Sequence, residues 1–283
     1  MRALVLGSTG FVGKNLVKTL DARGHTTVEA WREYDLTELD SARTSIENAR
    51  EPDVIFFCAD VAIRHWHTDP SFAFCRQLTM QANVVEAWKT YAPDAKLVCF
   101  TSHTAWPASH HVLTEDNMED GALMATWEGY GQCKRTLISQ LRTSGNDWLA
   151  LALCTQFGPN DNSDRFFPTV VKKLTADPLK LALEGNPDDL RTFAFVEDTA
   201  HNIVLASETV SNRVLVVAGG NTMSTSQVVD QLCQARGLNP IVEYKGQHWN
   251  AGSRLFNSDT YERMFPAFRK TEIPVAVKRS LVP

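Results

Sequence analysis

The feature that most constrains this chain lies at its start. Ala3-Leu4-Val5-Leu6 is a short apolar run, and it passes directly into Gly7-Ser8-Thr9-Gly10-Phe11-Val12-Gly13. Three glycines three residues apart, between a strand and a helix, let the backbone turn tightly and approach a pyrophosphate. The ligand's charge then meets the free N–H groups and the dipole of the helix N-terminus. A glycine triplet alone is a weak signal. At the first strand-to-helix turn it marks a dinucleotide site.

The segments that follow keep the same alternation. Residues 11–23 read as a helix with Phe11, Val12, Leu16, Val17 and Leu20 on one face. Strands are predicted at Thr26–Trp31, Val54–Cys58, Leu97–Thr101 and Trp148–Cys154, with helices near 38–50, 70–91 and 127–143. Near-continuous apolar strands alternating with helices imply a parallel sheet covered on both faces. After Gly158-Pro159 the rhythm loosens. Helices are predicted at 166–175, 197–208 and 225–236, and strands at Arg191–Val196 and Val214–Val217. The expected fold is α/β: a Rossmann doubly wound parallel sheet over 1–157, and a smaller C-terminal substrate-binding α/β lobe over 158–283. Some later segments are expected to return to the first domain.

Composition narrows the function classes. With 283 residues, 43% of them hydrophobic, the chain can bury a sizeable core. A formal net charge of -5 and the lack of any long basic run argue against nucleic-acid or anionic-membrane partners. No apolar stretch approaches the ~20 residues needed to span a bilayer. The glycine loop follows Leu6 too closely for a secretory signal. The six cysteines form no CxxC pair. They read as buried, reduced thiols of a cytoplasmic enzyme. The pairs His65/His67 and His110/His111 fall in predicted loops with no carboxylate or thiol completing a site, so no metal is expected.

The end of the second strand bears on cofactor choice. Enzymes that use NAD usually end it with an acidic residue on the ribose 2′-hydroxyl. Here it ends Ala30-Trp31-Arg32, and Arg32 can pair with the 2′-phosphate of NADP. Glu29 would take the acidic role if the strand ended earlier. NADP is the expected cofactor.

Tyr130-Gly131-Gln132-Cys133-Lys134 puts a phenol and an ammonium at i and i+4 on one helix face. A nearby ammonium favours phenolate and should lower the pKa of Tyr130, suiting it to proton exchange with a carbonyl or hydroxyl oxygen. The pair follows Leu97–Thr101-Ser102, a strand ending in two hydroxyls.

In this order the motifs resemble the extended short-chain dehydrogenase/reductase (NAD-dependent epimerase/dehydratase) family, and within it the GDP-L-fucose synthase-like reductases. The likeness runs from the glycine motif through Arg32, Asp35-Leu36, Asp69-Pro70, Asn83, Ser102–Pro107, Tyr130/Lys134, Phe157-Gly158-Pro159, Arg191-Thr192-Phe193, Val196-Glu197-Asp198, Gly219-Gly220 and Ser224 to Gly252-Ser253-Arg254. The resemblance implies that Ser102 hydrogen-bonds the reacting oxygen, Tyr130 donates the proton, and Lys134 holds the nicotinamide ribose. It implies cofactor contacts at Gly7, Thr9, Gly10, Phe11, Val12, Gly13, Arg32, Asp35, Leu36, Cys58, Ala59 and Lys134. Substrate contacts are implied at Thr155, and at Arg191 and Arg254 as forks for the diphosphate of a nucleotide sugar. A homodimer joined through the Tyr130 helix is also implied.

Several positions depart from the family pattern. Gln77 and Thr155 stand where asparagines are usual, and Asp60 is out of place in the loop after the Val54–Cys58 strand. The acid/base cysteine and histidine of the fucose synthases align with Thr104 and Arg165, which leaves His103 as the histidine best placed to reach substrate. Trp66, Trp106 and Trp127 flank the expected pocket, either as packing or as stacking surfaces. The leading reading is a keto-reductase of a nucleotide-linked keto-deoxy sugar. A nucleotide-sugar 4-epimerase and a non-catalytic NADP sensor are the alternatives. A dehydratase fits less well, since His103-Thr104 replaces the Asp-Glu pair of that chemistry.

Arg32→Ala is expected to weaken NADPH binding by roughly 1.5–3 kcal/mol, the worth of a charge-assisted pair, and to affect NADH far less. Titration of both cofactors against both proteins checks this. Wild-type protein that binds NADH at least as tightly as NADPH would make Glu29 the ribose ligand instead.

Overall fold

The computed structural model describes residues 1–30, 33–159, 161, 164–245 and 252–281. The chain opens with β1 (Arg2–Leu6), α1 (Phe11–Ala22) and β2 (Thr26–Ala30), and passes through α2 (Leu39–Glu47) to β3 (Val54–Phe57). Then α3 (Ile63–Thr68) and α4 (Pro70–Tyr91) lead to β4 (Lys96–Thr101). A loop carrying the short β5 (Val112–Leu113) precedes α5 (Glu128–Arg142) and β6 (Trp148–Ala152). The second half holds β7 (Thr155–Phe157), α6 (Phe166–Ala176), β8 (Lys180–Glu184), β9 (Leu190–Phe195), α7 (Val196–Ser207) and β10 (Arg213–Val216). It ends with β11 (Gly220–Ser224), α8 (Thr225–Arg236), β12 (Ile241–Lys245), β13 (Leu255–Phe256), α9 (Asp259–Met264) and α10 (Ile273–Ser280).

Six parallel strands form the main sheet in the order β10-β6-β4-β3-β1-β2. From β1 the chain steps outward to β2, then crosses back to place β3 on the other side of β1. Connections therefore diverge at the carboxyl ends of β1 and β3, the switch point where a crevice opens in such sheets. Strand period puts Leu4, Leu6, Ile55, Phe57, Leu97 and Cys99 on one face, packed with residues of α2, α4 and α5. Ala3, Val5, Phe56, Val98, Leu149 and Leu151 face the other way, onto Leu16 and Leu20 of α1 and Ile203 and Val204 of α7. Burial on both faces explains why these strands read as continuous apolar runs.

A second assembly sits over the carboxyl side of this sheet's later strands. In it β9 pairs antiparallel with β11 and parallel with β7, and β8 pairs with β12. Its own core joins Phe157, Phe167, Phe193, Phe195, Val228 and Leu232.

The structure differs from the sequence reading in several elements. The strand expected through Cys154 stops at Ala152, and 155–157 leave for the second sheet. Lys180–Glu184 and Ile241–Lys245 are strands the sequence did not signal, since each is a short polar-rich segment held by its partner. Gly220-Asn221-Thr222-Met223-Ser224 has almost no strand propensity and owes its conformation to pairing with β9. His65 and His67, expected in a loop, lie on α3. Among the described residues no group of three His, Cys, Asp or Glu could hold a metal ion, and no helix is long and apolar enough to cross a membrane.

Gly7 has a φ of +84°, and a Cβ there would lie 2.7 Å from the backbone nitrogen of Ala59. Gly7→Ala is therefore expected to lower stability by about 1–3 kcal/mol for the backbone conformation alone, with the contact against Ala59 adding to it. A shift in the urea midpoint measures the loss; a midpoint equal to wild type would show that this turn tolerates a side chain.

Candidate active site

The glycine motif closes around the end of the sheet. Gly7 donates its N–H to Ala30 O at 2.8 Å, Cys58 donates to Leu6 O at 2.9 Å, and Ala59 fills the space a Gly7 side chain would need. A Cβ on Gly13 would collide with the Gly7 carbonyl, so the third glycine lets α1 press against the turn. Helix α1 has no side-chain cap and no acidic residue in its first turn. Its N-terminal N–H groups and positive dipole end are therefore available to an anion. Thr9 and Gly10 are exposed at this rim, Phe11 and Val12 half-buried, and the Ser8 hydroxyl is buried without a hydrogen-bond partner. This cradle fits a dinucleotide pyrophosphate.

Beside it, Asp35 accepts two bonds from Arg76 at 3.1 Å and one from the Thr37 hydroxyl at 2.7 Å. The bonds from Thr37, with help from Arg76, hold its carboxyl below the usual range. Asn83 donates to Leu36 O at 3.1 Å, which ties the Asp35-Leu36 segment to α4. Strand β2 runs through Ala30, with exposed Glu29 one rung inside. Arg32 lies outside the described residues.

The catalytic candidates meet at α5. Tyr130 and Lys134 share one face, with the ammonium 5.0 Å from the centre of the phenol ring. Gly131 explains how Ser102 comes near them. A Cβ at Gly131 would collide with the Thr104 carbonyl, so the tight turn His103–Ala105 that follows Ser102 seats directly on α5 beside Tyr130. Thr104 is buried, and its hydroxyl has no hydrogen-bond partner. The Ser102 hydroxyl and His103 Nδ1 are 3.4 Å apart. Enclosure, then the charges of Arg254 and Arg191, push His103 down to about 3, so its ring is neutral at neutral pH and a weak base.

One expectation about this pair is corrected. Lys134 does not dominate the acidity of Tyr130, because Asp60 intervenes. A single oxygen of Asp60 accepts from the Tyr130 hydroxyl at 2.7 Å and from Lys134 Nζ at 2.8 Å. Burial and then the Asp60 charge drive Tyr130 well above its ordinary value, outweighing Lys134. Burial works against the Lys134 ammonium, but Asp60 reverses this and raises it too. Gln77, at a position where the family pattern has asparagine, accepts from the Val61 N–H at 2.9 Å and so fixes the loop that carries Asp60.

The arginines also differ from expectation. The sequence reading puts Arg254 on a diphosphate, but it is 2% exposed and both terminal nitrogens of its guanidinium are engaged by backbone carbonyls, while its Nε is buried without a partner. It donates to the carbonyls of His103, Pro107 and His110 at 2.7 Å and of Trp106 at 3.2 Å. Burial, then the Arg191 charge, pulls it down to about 10. Arg135, which the sequence gave no reason to single out, clamps the same loop from α5 through Ala105, Met118 and Gly121. Arg191 is half-buried and bonds to Leu190 O, Gly252 O and Asp189. Arg165 stands at the N-cap position of α6 without a side-chain capping bond; it bonds to Asp161 at 2.9 Å and stacks 4.7 Å over Phe11, which places it at the glycine motif. Thr155 is half-buried at the start of β7, opposite Phe193. Trp106 is core, its indole N–H on Thr114 O, whereas Trp66 and Trp127 meet the Tyr130 ring edge-on at 5.1 and 6.4 Å.

Residues 3–218 match the model of the NAD dependent epimerase/dehydratase family, and the chain belongs to that family. It is an enzyme of the short-chain dehydrogenase/reductase type. A Streptomyces protein, 3-diazoavenalumate denitrifying reductase, is 26% identical over 260 residues, 85% of this chain and 83% of that one. The fold is shared with the GDP-L-fucose synthetase of Naegleria fowleri, at a TM-score of 0.87 and 17% identity over 98% of this chain and 91% of that one. It is shared too with the NADP-bound GDP-mannoheptose C4 reductase of Campylobacter jejuni, at 0.86 and 17% over 98% and 96%. The NAD complex of Thermus thermophilus UDP-glucose 4-epimerase gives 0.80 and 20% over 99% and 97%.

Arg254→Ala is expected to lower stability by about 3 kcal/mol or more, since several buried carbonyls lose their donor at roughly 1–3 kcal/mol each. A diphosphate contact would behave differently, changing KM while thermal unfolding stayed at the wild-type temperature.

Proposed function

We propose that this protein is an NADP(H)-dependent reductase of a keto group on a nucleotide-linked keto-deoxy sugar, with Tyr130 as proton donor. The observation that carries this reading is the packing of the turn that follows Ser102 on α5 at Gly131, the residue next to Tyr130 on the helix that also bears Lys134. The cradle from Gly7 to Gly13, with Asp35, Leu36, Cys58, Ala59 and Arg32, holds the dinucleotide. When bound, the nicotinamide supplies the hydride. Ser102 orients the carbonyl oxygen, and Tyr130 gives that oxygen its proton and regains one from water. Lys134 holds the nicotinamide ribose. Arg191 and Thr155 face substrate from the smaller lobe, which residues 158–283 form apart from the segments that return to the main sheet. A cytoplasmic homodimer joined through the Tyr130 helix, α5, completes the reading.

Three residues favour reduction without epimerisation at the carbons next to the ketone. His103 is a weak base, Thr104 carries a hydroxyl of very low acidity, and Arg165 is bound to Asp161 and stacked on Phe11. None is suited to removing a carbon-bound proton near neutral pH.

One observation favours a second substrate class. Trp66 and Trp127 stand edge-on to Tyr130, the Trp66 indole N–H is buried without a partner, and Arg254 is engaged by the protein itself. A flat aromatic substrate would suit such walls, and the Streptomyces relative is by name a reductase whose substrate is not a nucleotide sugar.

Tyr130→Phe is expected to reduce turnover about 10²–10⁴-fold with NADPH affinity nearly unchanged. A thermal-shift panel of nucleotide sugars and aromatic acids with NADP⁺ identifies the substrate; a ligand at 100 times its Kd stabilises by roughly 2.7 kcal/mol. Normal turnover in Tyr130→Phe sinks the mechanism, and stabilisation by aromatic acids alone replaces the sugar reading with the second.

A further inference from the structure

Asp60 carries an inference that deepens this reading and rests on it for its catalytic consequence. The residue follows the carboxyl end of β3, at the rim where the crevice opens. Its two oxygens have separate tasks. One accepts from the N–H of Val61 at 3.0 Å, which fixes the carboxylate in its own turn. The other accepts from both Tyr130 and Lys134. The same Val61 N–H is also held by Gln77 of α4, so the turn is tied to the helix behind it.

We propose that Asp60 is a positioning residue that keeps Tyr130 in its hydroxyl form, by accepting its proton-bearing bond and cancelling the charge of Lys134. With both bonds on one oxygen, loss of the Tyr130 proton would leave phenolate oxygen 2.7 Å from a carboxylate. Two adjacent anions facing one ammonium are disfavoured relative to one. The other ionisable groups around this cluster are Cys133 of α5, Cys99 of β4, Cys75 of α4 and, against Trp127, His67 of α3. Burial pushes Cys133 and Cys99 up, so both are neutral thiols and add no competing charge. The carboxylate is therefore the group that decides how Lys134 acts on Tyr130. In catalysis this extends to alkaline pH the range in which Tyr130 holds a proton to give.

The test needs neither cofactor nor substrate. Near-ultraviolet tyrosinate absorbance is titrated in wild type and in Asp60→Asn, with Tyr130→Phe in each background to isolate the Tyr130 step. Asparagine keeps the shape and the Val61 bond while removing the charge. The Tyr130 step in Asp60→Asn is expected one to three pH units below that of wild type, roughly the effect of an ammonium left without its carboxylate. In wild type the step should lie above the ordinary value of 10.0 or be absent before unfolding. Equal steps in the two proteins overturn the proposal. So does a wild-type Tyr130 step at or below the ordinary value, which decides the matter even if Asp60→Asn does not fold. With a substrate in hand, the alkaline limb of turnover should move down in the variant by the same interval. A shifted titration with no reductase activity would leave Asp60's role standing and remove the functional reading instead.

Discussion

Everything at the crevice depends on how closely three pieces of backbone approach one another at the end of the main sheet. Gly7 lies against Ala59, and Gly13 lies against the Gly7 carbonyl, with no room for a side chain at either glycine. That contact sets the angle at which α1 leaves β1 and presents its uncapped N-terminus to the crevice. It also fixes the exit of the chain from β3, two residues before Asp60. The cofactor cradle and the acid-base cluster thus share one mechanical origin, and a change to the first would be felt in the second.

The loop between β4 and α5 buries Ala105, Trp106, Leu113 and Met118 in the main core and is held by charge as well. Arg254 and Arg135 reach it from opposite sides and bind carbonyls from His103 to Gly121. A loop of this length has many backbone acceptors that burial would otherwise leave unpaired. Two planar guanidinium groups with five donors each are an efficient way to satisfy them. The arrangement costs the protein a buried charge at Arg254, and the charges of Arg254 and Arg191 add to the burial that depresses His103. It leaves the turn after Ser102 seated closely against Gly131.

The cluster of Asp60, Tyr130 and Lys134 shows why a motif's spacing does not define its electrostatics. Tyrosine and lysine four apart on a helix form a pair whose ammonium favours phenolate. A third group on the same atoms reverses the sign. The departure at residue 60 is visible in the sequence, but its consequence is not, because 70 residues separate it from Tyr130.

The sequence by itself determined the elements whose signals are local. Glycine spacing after an apolar strand located the first turn, and apolar runs of strand length located the buried parallel strands. Helical period placed a helix near 70–91, where α4 runs from Pro70 to Tyr91. The same locality placed Tyr130 and Lys134 on one face. Tertiary structure alone decided which partners the charged and polar side chains found. Arg254 went to a loop roughly 150 residues earlier, Asp60 went to α5, and Gly220–Ser224 became a strand through β9. The physical reason is range: turn chemistry and side-chain period act over a few residues, whereas a buried charge takes whatever acceptors the folded chain brings within about 3 Å.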